Sequence, residues 1–306
     1  MTGSVPFFSG DSIVLANNLI YGASGQIIDP STGALVGSFT GAPTGIPSNS
    51  HVIDVANGRA FYLISGFSFF DGFRAAIIAY DLNTFLQVGF INITGVPGIP
   101  RSLIRWGTNG LAFSTSDRQI YLIESPLVNA SVPVPSPTPT PSPTPSPTPP
   151  YIPTFLRRVD LPANALVYSE ATQALYATVP GTIGPNGNSI TKITPATGAV
   201  VPLGFFGSQP GKMAISSDGQ TIWAHLNGAL AVRRFDIPTQ TPGLQFNTNV
   251  ISPADMEVVP GSPQSLVLSR GPNGGAIDSC MNSTPGATVR RTVWADAGIA
   301  ETSRRA

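Results

Sequence analysis

The chain has 306 residues, of which 16 are basic and 16 are acidic, so its formal net charge at pH 7 is zero. This balance lacks the basic surface that binding to nucleic acid or to an anionic membrane requires. With 32 Gly, 31 Pro and only 10% charged residues, the composition argues against long amphipathic helices. We therefore expect an all-β protein that has no nucleic-acid partner and does not insert into a membrane.

A short hairpin pattern recurs six times along the chain. In each copy an apolar run reaches a polar pair such as Asn-Gly or Asp-Gly, and a second apolar run follows. Such pairs tolerate the positive φ of tight hairpin turns. The copies span residues 13–21, 52–62, 103–113, 166–176, 213–223 and 256–268.

A second turn follows the first hairpin in four of these units. Asp29, Asp81 and Asp236 recur there at equivalent positions, with Thr194 in the fourth unit. Asp and Thr side chains bond to the backbone two residues further on, so recurrence indicates a structural role rather than a catalytic one. Two hairpins make a four-stranded blade, and the repeat of about 40 to 50 residues predicts a β-propeller.

A segment rich in Ser, Thr and Pro interrupts the repeats at residues 131–153. It favours the polyproline II conformation and acts as a semi-rigid spacer. The predicted domains are three blades in residues 1–130, the spacer, three blades in residues 154–272 and an irregular tail in residues 273–306. This tail contains the only cysteine, Cys280, and suggests a truncated or frame-altered end.

Two arrangements are compatible with this division. In the first, all six blades close one ring and the spacer loops out and returns. In the second, the spacer separates two incomplete propellers, and the chain is a fragment of a longer tandem protein. Residues 1–10 lack the basic and apolar regions of a signal peptide, which favours the fragment.

Residues 101–113, 229–245 and 258–263 resemble bacterial secreted or surface proteins built from seven-bladed propellers of the Tyr-Val-Thr-Asn repeat type. The resemblance covers residues 11–128 and 157–272. It implies a seventh blade, Ser/Thr/Pro-rich spacers between modules and a location outside the cytoplasm. Because the family is mostly without assigned chemistry, no functional residues carry over from it.

Few residues are candidates for chemistry. His51 and His225 are the only histidines, and one cysteine with two distant histidines does not make a metal site. We expect no cofactor and no catalytic residues. An alternative is a lactonase-like hydrolase or lyase with its site in a central channel, for which His51, His225, Glu170 and Glu257 are the available ionisable groups.

Aromatic residues are better candidates for recognition. Phe67, Phe69, Phe70 and Phe73 lie in a Gly-punctuated insertion, where four exposed rings would be costly unless a neighbouring blade or a partner covers them. The preferred interpretation is a non-enzymatic scaffold of a secreted or surface protein. It would present its blade loops to a protein or glycan partner, as a monomer or as part of a tandem array.

Overall fold

The computed structural model describes residues 12–39, 50–68, 72–128, 155–248, 253–270 and 277–282. Over these residues the chain forms antiparallel β-sheets joined by turns, with two short 3-10 helices at Pro126–Val128 and Gly184–Asn186. The predicted all-β class and the predicted propeller blades are confirmed. Two compact units share the sheets: unit 1 comprises residues 1–163 and 195–198, and unit 2 comprises residues 164–194 and 199–306.

Unit 1 contains three four-stranded sheets, which we number blades 1 to 3. Blade 1 consists of β1 to β4, at Ile13–Ala16, Leu19–Gly22, Gln26–Ile28 and Leu35–Ser38. Blade 2 consists of β5 to β8, at Ser50–Asp54, Arg59–Ser68, Gly72–Asp81 and Gln87–Ile93. Blade 3 consists of β9 to β12, at Pro100–Trp106, Gly110–Thr115, Ile120–Glu124 and Phe155–Val159.

Unit 2 contains two four-stranded sheets and one sheet with three described strands. Blade 4 consists of β13 to β16, at Ala165–Ser169, Ala174–Val179, Ser189–Thr194 and Ala199–Phe205. Blade 5 consists of β17 to β20, at Pro210–Ile215, Thr221–Leu226, Ala231–Asp236 and Thr241–Asn247. Blade 6 consists of β21 to β23, at Pro253–Val258, Ser265–Arg270 and Ile277–Asn282. The described residues thus form six blades and not the seven that the family resemblance implies.

The recurring aspartates form the predicted turns. The Asp29 carboxylate accepts a hydrogen bond from the backbone N–H of Ser31 at 2.8 Å, and Asp81 accepts one from Asn83 at 2.9 Å. Asp236 accepts one from Thr239 at 2.9 Å. The Ser31 hydroxyl, followed by this backbone N–H, lowers the pKa of Asp29, and the Thr239 hydroxyl and backbone N–H do the same for Asp236, because these bonds stabilise the charged form of each carboxyl.

The strand after the Pro-rich segment pairs with a strand before it. β12 lies antiparallel to β11, from Ile120 opposite Val159 to Glu124 opposite Phe155. The sequence division placed residues 154–272 in the second set of blades, whereas β12 completes blade 3. Strand pairing is a long-range contact, so the local pattern of residues 155–159 did not reveal its partner. The predicted spacer itself lies outside the described residues.

Part of the predicted irregular tail is also a strand. Residues 277–282 form β23, which pairs with β22 from Ser265 opposite Asn282 to Ser269 opposite Ile277. The rest of the tail lies outside the described residues. The sequence of β23 contains Asp, Ser and Asn, which are poor strand formers, so its propensity gave no indication of a strand.

Apolar clusters fill the spaces between successive blades of each unit. In unit 1, Tyr62 and Tyr80 belong to a cluster between blades 1 and 2, while Phe61 and Phe113 belong to one between blades 2 and 3. In unit 2, separate clusters join blade 4 to blade 5 and blade 5 to blade 6. Each fully buried large side chain contributes about 1.5–3 kcal/mol to stability, so these clusters hold neighbouring blades together.

Candidate functional site

The two central strands of blade 2 extend beyond their neighbours. β6 and β7 pair over ten positions, from Arg59 opposite Asp81 to Ser68 opposite Gly72. β5 pairs with β6 only as far as Leu63, and β8 pairs with β7 only as far as Ala75. Among the described strands, the last three pairs of β6 and β7 therefore have no third strand beside them. We call residues 66–68 and 72–74 the blade 2 ribbon.

Two of the four predicted interaction residues lie in the blade 2 ribbon. Phe67 of β6 is directly opposite Phe73 of β7. Phe69 and Phe70 lie outside the described residues. Where the sequence predicted a loop insertion, the backbone at Phe67 and Phe73 continues as strand, because inter-strand pairing outweighs the turn preference of the interspersed glycines.

The two histidines are buried at separate places. His51 is 5% exposed, with its Nε2 atom 3.0 Å from the Tyr21 carbonyl oxygen and its ring stacked on Tyr62 at 5.1 Å. His225 is fully buried in β18, with its Nδ1 atom 2.8 Å from the Asn227 side-chain oxygen. His51 of blade 2 thus stacks within its own blade and bonds to blade 1, whereas His225 bonds to a residue just after its own strand.

Unit 2 has a shallow cleft where the first turn of blade 4 meets the first turn of blade 5. Its volume is about 380 Å³, and its lining includes Tyr168, Glu170, Ser217 and Asp218. The cleft combines an aromatic ring with carboxylate and hydroxyl groups, which could donate and accept hydrogen bonds to a polar ligand. Glu170 is the one member of this lining that sequence reasoning had named.

Hydrogen bonds hold the two turns of this cleft in place. The Ser169 hydroxyl of blade 4 donates to the Gly219 carbonyl oxygen of blade 5 at 2.6 Å. Asp218 accepts from the Ser216 hydroxyl and from the backbone N–H of Gln220, and both bonds lower its pKa. The carboxylate is therefore charged at neutral pH, and it accepts its hydrogen bonds largely from residues of its own turn.

Tyr168 and Asp218 were missed by sequence reasoning. Asp218 with Gly219 had been noticed only as a hairpin turn, and this turn faces the turn that begins after Ser169. The residues that meet at the cleft are about 50 positions apart, so their proximity depends on the packing of one blade on the next. A repeated polar first turn in neighbouring units is the sequence signal that could have indicated it.

Glu257 has an unusual environment in blade 6. It lies on the exposed side of β21, two residues from Asp255, while Met256 and Val258 pack into the cluster with blade 5. Desolvation by the surrounding protein, followed by repulsion from Asp255, raises the pKa of Glu257 to about 7.

The four ionisable candidates of the enzyme alternative do not share the unit 2 cleft. Glu170 lines it, while His225 and Glu257 do not. His51 belongs to unit 1. Over the part of the chain that the structure describes, no group of three or more His, Cys, Asp or Glu residues is arranged to hold a metal ion. None of the helices in this part is long and apolar enough to cross a membrane.

Comparisons with known proteins identify the architecture. No protein-family model matches the chain, and no curated protein matches its sequence. Among solved structures, a hydrazine synthase chain of Kuenenia stuttgartiensis matches with a TM-score of 0.60 and 14% identity, over 90% of this chain and 80% of that one. A chain of a mitotic checkpoint complex matches with a TM-score of 0.56 and 12% identity, over 84% and 70%. At this identity the likeness shows the propeller-like fold alone.

Proposed function

We propose that the protein is a non-enzymatic propeller module that binds a protein partner through the blade 2 ribbon. The observation that carries this proposal is the extension of β6 and β7 beyond β5 and β8. A two-stranded ribbon is marginally stable in water by itself. A segment whose sequence contains Phe67, Phe69, Phe70 and Phe73 gains stability when a partner covers its rings, since each ring buries a large apolar area.

A protein partner fits this segment better than a glycan. Four phenylalanines offer apolar area without hydroxyl or amide groups, and apolar area drives protein association. A glycan would also need hydrogen-bonding side chains, and in unit 2 the cleft beside Tyr168 supplies such groups. Glycan binding at the cleft is therefore the second mode of the same scaffold function.

The expected setting is a secreted or surface protein of the Tyr-Val-Thr-Asn repeat type. The blade repeats, the Ser/Thr/Pro-rich segment at residues 131–153 and the near-neutral net charge support this assignment. The module acts as a monomer or as one part of a tandem array. It uses no cofactor in binding.

Photocrosslinking tests the proposed surface. Benzoylphenylalanine at position 67 or 73 is expected to crosslink a partner from the native cell-surface fraction, whereas the same group at Phe205 is not. Phe205 is 67% exposed on β16, so it is a matched exposed aromatic control. With the crosslinked protein purified, Phe67→Ser with Phe73→Ser should weaken binding by at least about tenfold, as loss of two anchor rings does. Equal crosslinking at all three positions, or unchanged affinity, contradicts the proposal.

A hydrolase or lyase is the alternative, and Glu257 is the observation that favours it. A carboxyl with a pKa near 7 has the proton affinity that suits a general acid or base at neutral pH. Turnover of a panel of lactones that Glu257→Gln abolishes would support this alternative. Turnover that is absent, or equal in the variant, would leave the binding function as the better account.

A further inference from the structure

The aromatic side of the unit 2 cleft is held in one orientation. The Tyr168 hydroxyl donates a hydrogen bond to the side-chain oxygen of Gln173 at 2.9 Å, and the Gln173 amide donates to the backbone carbonyl of Glu170 at 2.9 Å. The half-buried ring therefore lines the cleft in a fixed position. A ring fixed in advance loses little side-chain freedom when a ligand packs on it, so it suits the flat apolar face of a sugar.

Two carboxylates in the cleft keep the capacity to bind a ligand. The exposed carboxylate of Glu170 takes no hydrogen bond from the part of the chain that the structure describes. Both bonds to Asp218, from the Ser216 hydroxyl and the Gln220 backbone, end on Oδ1, so Oδ2 can accept from a ligand. The described lining contains no basic residue. Its negative charge therefore favours a cationic group.

Ser217 adds a hydrogen-bond donor to the same cleft. Its hydroxyl oxygen accepts from the backbone N–H of Gly261 at 3.3 Å, so its own hydrogen can be donated to a ligand. The lining thus offers an apolar ring, two anionic acceptors and a hydroxyl donor. A volume of about 380 Å³ is at the small end of the range for ligand pockets, which suits a short stretch of a glycan chain.

We propose that this cleft binds a glycan whose sugars carry free amines. The inference rests on the proposed glycan-binding mode and names the class of sugar. The Tyr168 ring packs against the face of one sugar, Glu170 and Asp218 accept hydrogen bonds from its ammonium group, and Ser217 donates to a sugar hydroxyl. Charge-assisted bonds are roughly twice as strong as neutral ones, so the cleft prefers an amino sugar to its acetylated form.

Two matched oligosaccharides test this preference on the unmodified full chain. Isothermal titration calorimetry at mildly acidic pH compares a hexamer of glucosamine with a hexamer of N-acetylglucosamine, which share the sugar backbone and differ in the charge on nitrogen. The amine hexamer is expected to bind at least about tenfold more tightly. Added salt should reduce this advantage, because it screens the attraction between the ammonium groups and the carboxylates.

A conservative variant assigns the preference to the cleft. Glu170→Gln removes one charge from an exposed position and should weaken binding of the amine hexamer by about five- to tenfold. Asp160→Asn is the matched control, because it removes the same charge from unit 1, where the Asp160 side chain is 66% exposed. It should change the affinity by less than about twofold, since an exposed charge away from the ligand is screened by salt.

Each contrary result has a distinct meaning. Equal affinity for the two hexamers, with no effect of Glu170→Gln, would overturn the amine preference and leave glycan binding in place. Failure of both hexamers to bind would overturn this inference together with the glycan-binding mode, whereas binding through the blade 2 ribbon has its own crosslinking test. A hexalysine peptide that binds as tightly as the amine hexamer would also overturn the inference, since the cleft would then recognise ammonium groups without the sugar.

Discussion

Shortening the Pro-rich connection should stabilise the protein. Because β12 pairs with β11, residues 125–154 form a closed connection within blade 3. Deleting residues 131–150 shortens it about threefold. The entropy of closing a flexible loop grows as 1.5RT ln n, so the deletion should raise the free energy of unfolding by about 1 kcal/mol. A stiff polyproline segment costs more to close than a flexible one, so this value is a lower bound.

Urea denaturation followed by tryptophan fluorescence measures this effect. A control variant replaces residues 131–150 with a Gly/Ser segment of equal length, which keeps the connection long and flexible and should change stability by less than the deletion does. A deletion variant that loses more than about 1 kcal/mol relative to the natural chain would refute the closed connection, because an interior loop is dispensable.

Proteolytic cleavage within residues 131–153 tests the same pairing without changing the sequence. The fragment that carries β11 and the fragment that carries β12 are joined by five residue pairs between these two strands of blade 3, so they should co-elute from a sizing column. Fragments that separate under native conditions would show that the segment joins independent modules. They would also revive the interpretation of a fragment from a tandem protein.

Three further perturbations have defined outcomes. Arg105→Ala should lower the free energy of unfolding, measured by urea denaturation, by about 3 kcal/mol, because Arg105 pairs at 2.6 Å with the mostly buried carboxylate of Asp54. A loss below about 0.5 kcal/mol would contradict this prediction. Trp223→Ala should lower the free energy of unfolding by about 3–5 kcal/mol in the same assay, since the ring is fully buried and its N–H donates to the Pro263 carbonyl oxygen at 3.0 Å. Trp223→Phe keeps most of the packing and should lower it clearly less. Glu257→Gln should raise the melting temperature at pH 8 and leave it unchanged at pH 4, and an equal shift at both values would be inconsistent with a raised pKa.

The sign of the Glu257 effect follows from proton linkage. Its pKa is higher in the folded state, at about 7, than its ordinary value of 4.5. Between these values the folded protein holds a proton that the unfolded chain has released. The stability of the protein that depends on Glu257 therefore falls as pH rises through this window. At pH values above the window, the neutral amide of Gln avoids this loss of stability.

The hairpin turns were predictable because their chemistry is local. Asp29, Asp81 and Asp236 bond to backbone two or three residues away, so a short stretch of sequence contains both partners. The hairpin repeat predicted the propeller class, whereas the seven blades that the family resemblance implies are not what the described residues show. The sequence named Phe67 and Phe73 as candidate residues but did not predict the two-stranded ribbon that contains them, since the length of this ribbon depends on where β5 and β8 end.

The sequence by itself determined the all-β class, the hairpin repeat and the turn residues, because these depend on composition and on neighbours along the chain. Only the tertiary structure decided that β12 returns to blade 3 and that His51 stacks on Tyr62. It also brought Glu170 beside Asp218. These outcomes depend on contacts between residues about 10 to 50 positions apart, and the free energy of such contacts comes from burial and pairing that no local pattern specifies.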